Sequence, residues 1–408
     1  MADTTGTTPI KKTKVAFVTW APRISGIEVA LCAILENIDY DRFDVSVLFT
    51  SNEDYEGSSI IPRLDSRAHV YVADRTARVT FKRRYRFNLL RRVGGFLRWH
   101  VKGPFESLGA FLYDGEAKLY ARYIRKNLGA AADVDTVVLY HPFSSEEAVR
   151  AFTRKRFLLV YHCGDREKIY HQEMGFAAAD KVLSVGCSVA CDIRRWYPKY
   201  EDKVVVAENL TDIPNVLKLS QEAPATVFSH DVVNIVSCIR LNPLKGVDLA
   251  LEAVAKLVAG GLTNIHYHVI GWDLSEPEYR ALVAKLGLER YVTLYGHQPN
   301  PYPLMKQADV YLQPSRNEAL GLTVSEALLL GRPVVSTRTK GGLDQLSAPG
   351  VKGVLCDISS DAIAAALKPL VVDPVARAAL RNDDYLAVCS AANKRRIDHL
   401  EELIAPKG

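Results

Sequence analysis

The stretch PSRNEALGLTVSEALLLGRPVV, residues 314–335, sets two glutamates, Glu318 and Glu326, eight positions apart with Gly321 between them. On one continuous helix the pair would stand about 12 Å apart along the axis, at ~1.5 Å per residue. Two carboxylates that share one glycosidic bond, as in a retaining hydrolase, stand only ~5 Å apart. The segment therefore reads as a loop followed by a helix. Residues 317–321 form the loop and 323–330 the helix; Gly331 stops it, Pro333 bars continuation, and residues 334–335 open a strand. Glu318 then approaches a ligand from the loop. The free N–H groups at the helix start face the same ligand and favour an anion such as phosphate. Glu326 is expected in the first helical turn, within reach of a neighbouring polar part of a long ligand.

The same rhythm runs outward in both directions. Apolar runs at 14–20, 43–49, 68–72, 135–140, 157–161, 181–184 and 203–206 read as strands, with helices at 27–38, 114–128 and 187–196 among the connections. The second half repeats it: strands at 232–239, 265–270, 291–295, 309–313 and 333–337, helices at 247–259, 276–286 and 302–307. Val247, Leu251, Val254 and Val258 recur at helical spacing. Such alternation predicts an α/β protein with parallel sheets covered on both faces. Two doubly wound, Rossmann-like domains facing a central cleft would bind a ligand at the carboxyl ends of their strands. The expected division is a disordered lead at 1–13, one domain at 14–215, a second at 216–385 and a terminal helix within 386–408. No repeat of 20 to 50 residues is visible.

Composition narrows the class. The 408 residues are 48% apolar, enough for two domains. No apolar run is long enough to span a bilayer, and the first 13 residues lack the apolar core of a signal peptide. Seven scattered cysteines argue against a disulfide framework, and Cys187 with Cys191 lacks a second pair at metal spacing. A reducing cytoplasm is the expected compartment, and the charge suits contact with the inner face of the cell membrane. Net charge is +5, but residues 1–128 hold 21 Lys and Arg against 14 Asp and Glu. Residues 75–102 hold ten basic residues and no acid. On a helix Phe81, Tyr85, Leu89, Val93 and Leu97 would share a face, which suits an anionic lipid surface. An anionic polymer, or a solvated helix packed on the core, accounts for the same pattern. No nucleic-acid motif accompanies the charge.

Arg240 and Lys245 fall between the 232–239 strand and the 247–259 helix. A lysine just ahead of a helix start is misplaced by ~0.3–1 kcal/mol, and a bound diphosphate reverses that sign. A planar fork beside a point charge suits phosphate oxygens, although two solvated loop cations would look the same.

Taken together, CIRLNPLKG at 238–246, VIG at 269–271, GHQPNPYPLMKQADVYLQPS at 296–315 and the two glutamates resemble the retaining GT-B glycosyltransferases of family 4, the "glycosyl transferases group 1" type, with its E-x7-E motif. The resemblance is strong over 232–346, looser over 14–50 and 156–214, and weak or absent over 55–130. It implies a GT-B fold and a hexosyltransferase whose donor is a nucleoside diphosphate sugar, with UDP expected. It implies reaction on one face of the sugar with retention, and no metal or other cofactor. Arg240, Lys245 and the backbone amides of Leu320, Gly321, Leu322 and Thr323 would neutralise the diphosphate. Glu318 would bind the donor sugar and Glu326 its ribose. His162, in VYHCGD, would lie near the donor sugar, and Gly26 near phosphate. Gln298 and Tyr302 would lie by the nucleotide base, Tyr302 stacking on it or offering backbone. The acceptor would be a hydroxyl of a lipid-linked glycan or envelope polymer; oligomeric state is left open. This chain departs from the family at Ser25, Ala319 and Gln345, where a glycine, a glycine and a glutamate are usual. A nucleotide-sugar epimerase and a non-catalytic nucleotide-sugar-binding subunit are the competing readings.

Overall fold

The structure, a computed structural model, describes residues 11–22, 25–50, 59–72, 125, 133–141, 152, 155–162, 173–273 and 275–405. The lead at 1–10, the basic segment 75–102 and all of the expected 114–128 helix except Arg125 lie outside them.

Two parallel sheets organise the chain. The first holds β1 (Thr13–Thr19), β2 (Phe43–Phe49), β3 (His69–Val72), β4 (Thr136–Leu139), β5 (Arg156–Tyr161), β6 (Lys181–Ser184) and β7 (Val204–Val206), in the order β3-β2-β1-β4-β5-β6-β7. The second holds β8 (Val233–Cys238), β9 (Ile265–Ile270), β10 (Val292–Leu294), β11 (Val310–Gln313), β12 (Val334–Thr337) and β13 (Val354–Cys356), in the order β10-β9-β8-β11-β12-β13. Central strands such as β1, β4 and β11 are buried on both faces, which is why each reads as a continuous apolar run. Strand order reverses between β1 and β4 and again between β8 and β11. Such switch points open a crevice beyond the carboxyl ends of the strands. This is the GT-B arrangement of two Rossmann-like lobes.

The Tyr385–Ile404 helix ties the lobes together. Its first turns put Tyr385 and Cys389 into the second lobe's core, while Ile397, Leu400 and Ile404 close the first lobe's core. Thr136 donates its hydroxyl to the Ile404 carbonyl at 2.8 Å, and Glu401 accepts from the Asp39 amide at 2.8 Å and from Arg42 at 2.5 Å. The structure adds elements that no periodicity marks. Ile213–Leu219 is a helix, with Pro214 in its first turn and Val216 fully buried. Between 337 and 387 stand β13 and the helices Lys340–Leu346, Ser360–Val372 and Pro374–Ala379.

Candidate active site

The second lobe's switch point gathers the charged residues. After β8 the chain passes Arg240, makes a 3-10 turn at Pro243–Lys245 and enters the Val247–Ala259 helix through Gly246. Gly246 has φ +67°, and a Cβ there would lie 2.1 Å from the Pro314 carbonyl oxygen, so the turn can press against the start of the β11 loop only with glycine. Arg316 from that loop completes the clamp. Its guanidinium donates to both oxygens of Asp248 (2.7 and 2.6 Å) and to the Pro243 carbonyl (2.8 Å).

This clamp brings Lys245 and Glu318 together. Glu318 is 9% exposed, and its Oε1 accepts from Lys245 Nζ at 2.6 Å, Gln313 Nε2 at 2.8 Å and Ser315 Oγ at 2.9 Å. Gln313 is itself a hub: its Oε1 accepts from Tyr311 at 3.1 Å and Thr323 at 3.2 Å. Arg240 stands apart, exposed, with no side-chain partner among the described residues. Gly321, at φ +76°, turns the chain into the Leu322–Leu329 helix. The amides of Leu320, Gly321, Leu322 and Thr323 have no acceptor among the described residues, as expected of a helix start. Leu320 and Ala319 contribute more than backbone, since both pack on the first lobe's core.

Two expectations need correcting. Glu326 is the fifth residue of its helix, not in its first turn, because the helix begins at Leu322. It is therefore no dipole-satisfying end group: it is 7% exposed, and burial raises its carboxyl to about 7, Asp212 adding to the rise while Tyr302 and Arg63 oppose it. Tyr302 has no free face for a base to stack on. Its ring is buried in the second lobe's core at 6% exposure, and its hydroxyl donates to Glu326 Oε1 at 3.3 Å. Gln298 is half-buried, with its amide donating to the Tyr295 carbonyl at 3.2 Å.

On the first lobe, Ser25 caps the Gly26–Asn37 helix and also donates to Glu28, which accepts from Thr19 at 3.0 Å. The serine that replaces the usual glycine thus has a structural partner. Gly26 follows, and among the described residues nothing lies within 4 Å of where its Cβ would be. His162 follows β5. Its ring meets Tyr140 edge-on at 4.8 Å, and its Nε2 is buried with no partner among the described residues. Burial above all, with His141 adding, lowers its pKa to about 3 against a bond to the Tyr140 backbone, so the imidazole is neutral. Sequence reasoning missed His141, which is 5% exposed at the end of β4 beside Trp20. It also missed Gln313; the signal was an amide ending an otherwise apolar strand just before Pro314. Among the described residues no group of three His, Cys, Asp or Glu is placed to hold a metal ion, and no helix is long and apolar enough to cross a membrane.

Residues 222–385 match the family model described as "Glycosyl transferases group 1". A poly(ribitol-phosphate) alpha-N-acetylglucosaminyltransferase of Staphylococcus aureus is 28% identical over 150 residues, covering 37% of this chain and 30% of that protein. The lipopolysaccharide core biosynthesis glycosyltransferase LpsE of Rhizobium meliloti is 26% identical over 210 residues, covering 51% of this chain and 59% of that protein. The chain spans about a third of the length of the first curated relatives it matches, between 27% and 38%. The crystal structure of HepE from Anabaena in complex with UDP and glucose shares the fold at TM-score 0.67 and 17% identity, over 96% of this chain and 98% of that one.

Proposed function

We propose that the protein is a retaining, metal-independent glycosyltransferase of family 4. It moves a hexose-type sugar from a nucleoside diphosphate, UDP by preference, to a hydroxyl of a lipid-linked glycan or cell-envelope polymer. The observation that carries this reading is the Lys245–Glu318 contact at the β8/β11 switch point, beside the unpaired amides of residues 320–323 and the exposed Arg240. Two cations and a row of N–H donors suit a diphosphate, and a buried carboxylate beside them suits sugar hydroxyls. The family match over 222–385 covers these groups, UDP and glucose occupy a protein of the same fold, and relatives are named for poly(ribitol-phosphate) and for lipopolysaccharide core biosynthesis.

In this reading the bond from the sugar's anomeric carbon to the β-phosphate oxygen breaks while a bond to the acceptor oxygen forms on the same face. The acceptor proton passes to the departing phosphate. Arg240, Lys245 and the helix start stabilise the negative charge that grows on that phosphate. Glu318 orients the sugar and Glu326 the ribose. The neutral His162 offers its buried Nε2 to the reacting region. The metal-free reading rests on these donors being sufficient, and transfer that stops on adding a chelator would overturn that part of it.

The test is purified protein with a panel of nucleotide sugars and membrane extract, the product identified by mass spectrometry and its anomeric configuration by NMR. Transfer with retention is expected. Product formed without acceptor would indicate an epimerase instead, and no turnover with intact UDP binding would indicate a binding subunit.

A further inference from the structure

The short Lys340–Leu346 helix faces two ways. One side holds the ligand loop. The Gly341 amide donates to the Glu318 carbonyl at 3.1 Å, and a Cβ on Gly341 would fall 2.2 Å from the Leu320 carbonyl oxygen. Gln345 donates its amide to the carbonyls of Leu320 and Gly321, the latter at 3.0 Å, and accepts from Ser325. The other side reaches the first lobe. The Cys187–Trp196 helix begins at Gly186, which has no side chain with which to cap it, and no acidic residue lies in its first turn. The cap comes from the opposite lobe: Asp344 accepts from the Ser188 amide at 3.2 Å and from the Ser188 hydroxyl at 2.6 Å. One turn further along that helix, Lys340 pairs with Asp192 at 2.6 Å and lies 5.3 Å from the centre of the Trp196 ring.

We propose that Asp344 is a positioning residue that couples closure of the two lobes to the shape of the 318–321 loop. Neighbouring residues of one rigid turn grip both the loop that carries Glu318 and the helix start on the facing lobe. When Asp344 holds Ser188, the Lys340–Leu346 helix is fixed against the first lobe and Gln345 holds the loop in its ligand-facing form. When the cap is released, the lobes part and the loop loses its brace. The inference builds on the activity proposed above, but the coupling itself is physical and can be read without turnover.

The experiment compares the wild-type chain with Asp344→Ala and Asp344→Asn. Amide hydrogen exchange is followed across residues 186–192 and 318–323, and small-angle scattering gives the radius of gyration. In Asp344→Ala, exchange should rise at least several-fold in both segments together, with a measurable increase in radius. Asp344→Asn keeps the acceptor and should fall between. Faster exchange confined to 186–192, with the loop and the radius unchanged, would reduce Asp344 to a local cap and overturn the proposal. So would an unchanged exchange profile in a folded Asp344→Ala chain. Where turnover is measurable, kcat should fall about tenfold while affinity for free UDP changes less than about twofold; a parallel loss of both would mark a structural effect. If wild type binds no UDP and transfers no sugar, the activity reading fails, and the exchange and scattering results still decide this one.

Discussion

Lys245 and Glu318, 73 positions apart in the chain, meet at 2.6 Å between the turn that follows β8 and the loop that follows β11. The contact joins a cation suited to a leaving phosphate with a carboxylate suited to the sugar it leaves. Removing either partner strands the other, because Glu318 is buried and Lys245 only a fifth exposed. Lys245→Ala is expected to lower kcat/KM by about 10²–10³, the scale of losing one preorganised donor to developing charge. Glu318→Gln keeps the shape and loses the charge; it should lower kcat while free UDP still binds. Initial rates and calorimetry on folded variants check both, and full activity in both would remove the site assignment.

The carboxyl of Glu326 titrates near neutrality. Its pKa is about 7 in the fold against an ordinary 4.5, so the folded chain binds the proton more tightly. The site therefore loses stability as pH rises from 4.5 through 7 and loses no more above that. Only the ionised form is a full acceptor for a ribose diol. Calorimetric affinity for UDP should then climb between pH 6 and 8, and Glu326→Gln should flatten the climb. Tyr302→Phe removes the hydroxyl that holds the pKa down, so it should move the midpoint higher. A midpoint that does not shift would show that Tyr302 does not govern the group.

A second buried titration acts in the opposite direction. His268 lies against Phe228, donates Nε2–H to Asn234 at 3.0 Å and accepts at Nδ1 from the Tyr295 hydroxyl at 3.1 Å. Burial, with His266 adding, lowers its pKa to about 3. The unfolded chain takes up a proton near 6.5 while the folded chain refuses it until about 3. Stability is then whole above pH 6.5 and falls as pH drops through that window. His162, lowered to about 3 in the other lobe, adds to the same slope. Urea unfolding from pH 7.5 to 4 should show the decline, and His268→Gln should reduce it.

The fold was legible because buried parallel strands must be apolar throughout, and the helices between them carry their own periodicity. Legibility failed where tertiary contact overrides local preference. Lys340–Leu346 contains Gly341 and Gly342, poor helix formers, yet it is helical because Thr339 caps it and Gly341 packs on Leu320. The β13 strand is three residues at a sheet edge, Val354 and Leu355 half-buried and Cys356 buried, too short to show a pattern. In the site, Glu318 and the free amides follow from loop-then-helix reasoning on 314–335, and Lys245 from its place just ahead of the helix that follows the 232–239 strand. The burial of Glu326 and of Tyr302 does not, since it depends on which face of each element meets the sheet. Asp344 could not have been found that way either, because its partner Ser188 lies 156 positions away on the other lobe.

Gln345 stands where the family that the sequence resembles usually carries glutamate, and its surroundings show what the amide supplies. Its nitrogen faces the carbonyls of Leu320 and Gly321, which can only accept, and its oxygen takes the Ser325 hydroxyl. Gln345→Glu would set an ionised carboxylate against two carbonyl oxygens in a site 7% exposed, leaving the Leu320 carbonyl without a donor and the Gly321 carbonyl with only the Val324 amide. The replacement is expected to cost ~1–3 kcal/mol, the scale of unsatisfied buried polar groups. The new carboxyl should respond by holding its proton, since a neutral acid can still donate to one carbonyl. The penalty should therefore be small near pH 4.5 and grow as pH rises, the reverse of the histidine effect. Urea unfolding of the variant against wild type at pH 5 and pH 8 measures this directly. A penalty of the same size at both values would mean that the loop has rearranged to accept the charge and that Gln345 is not what holds Leu320 and Gly321 in place.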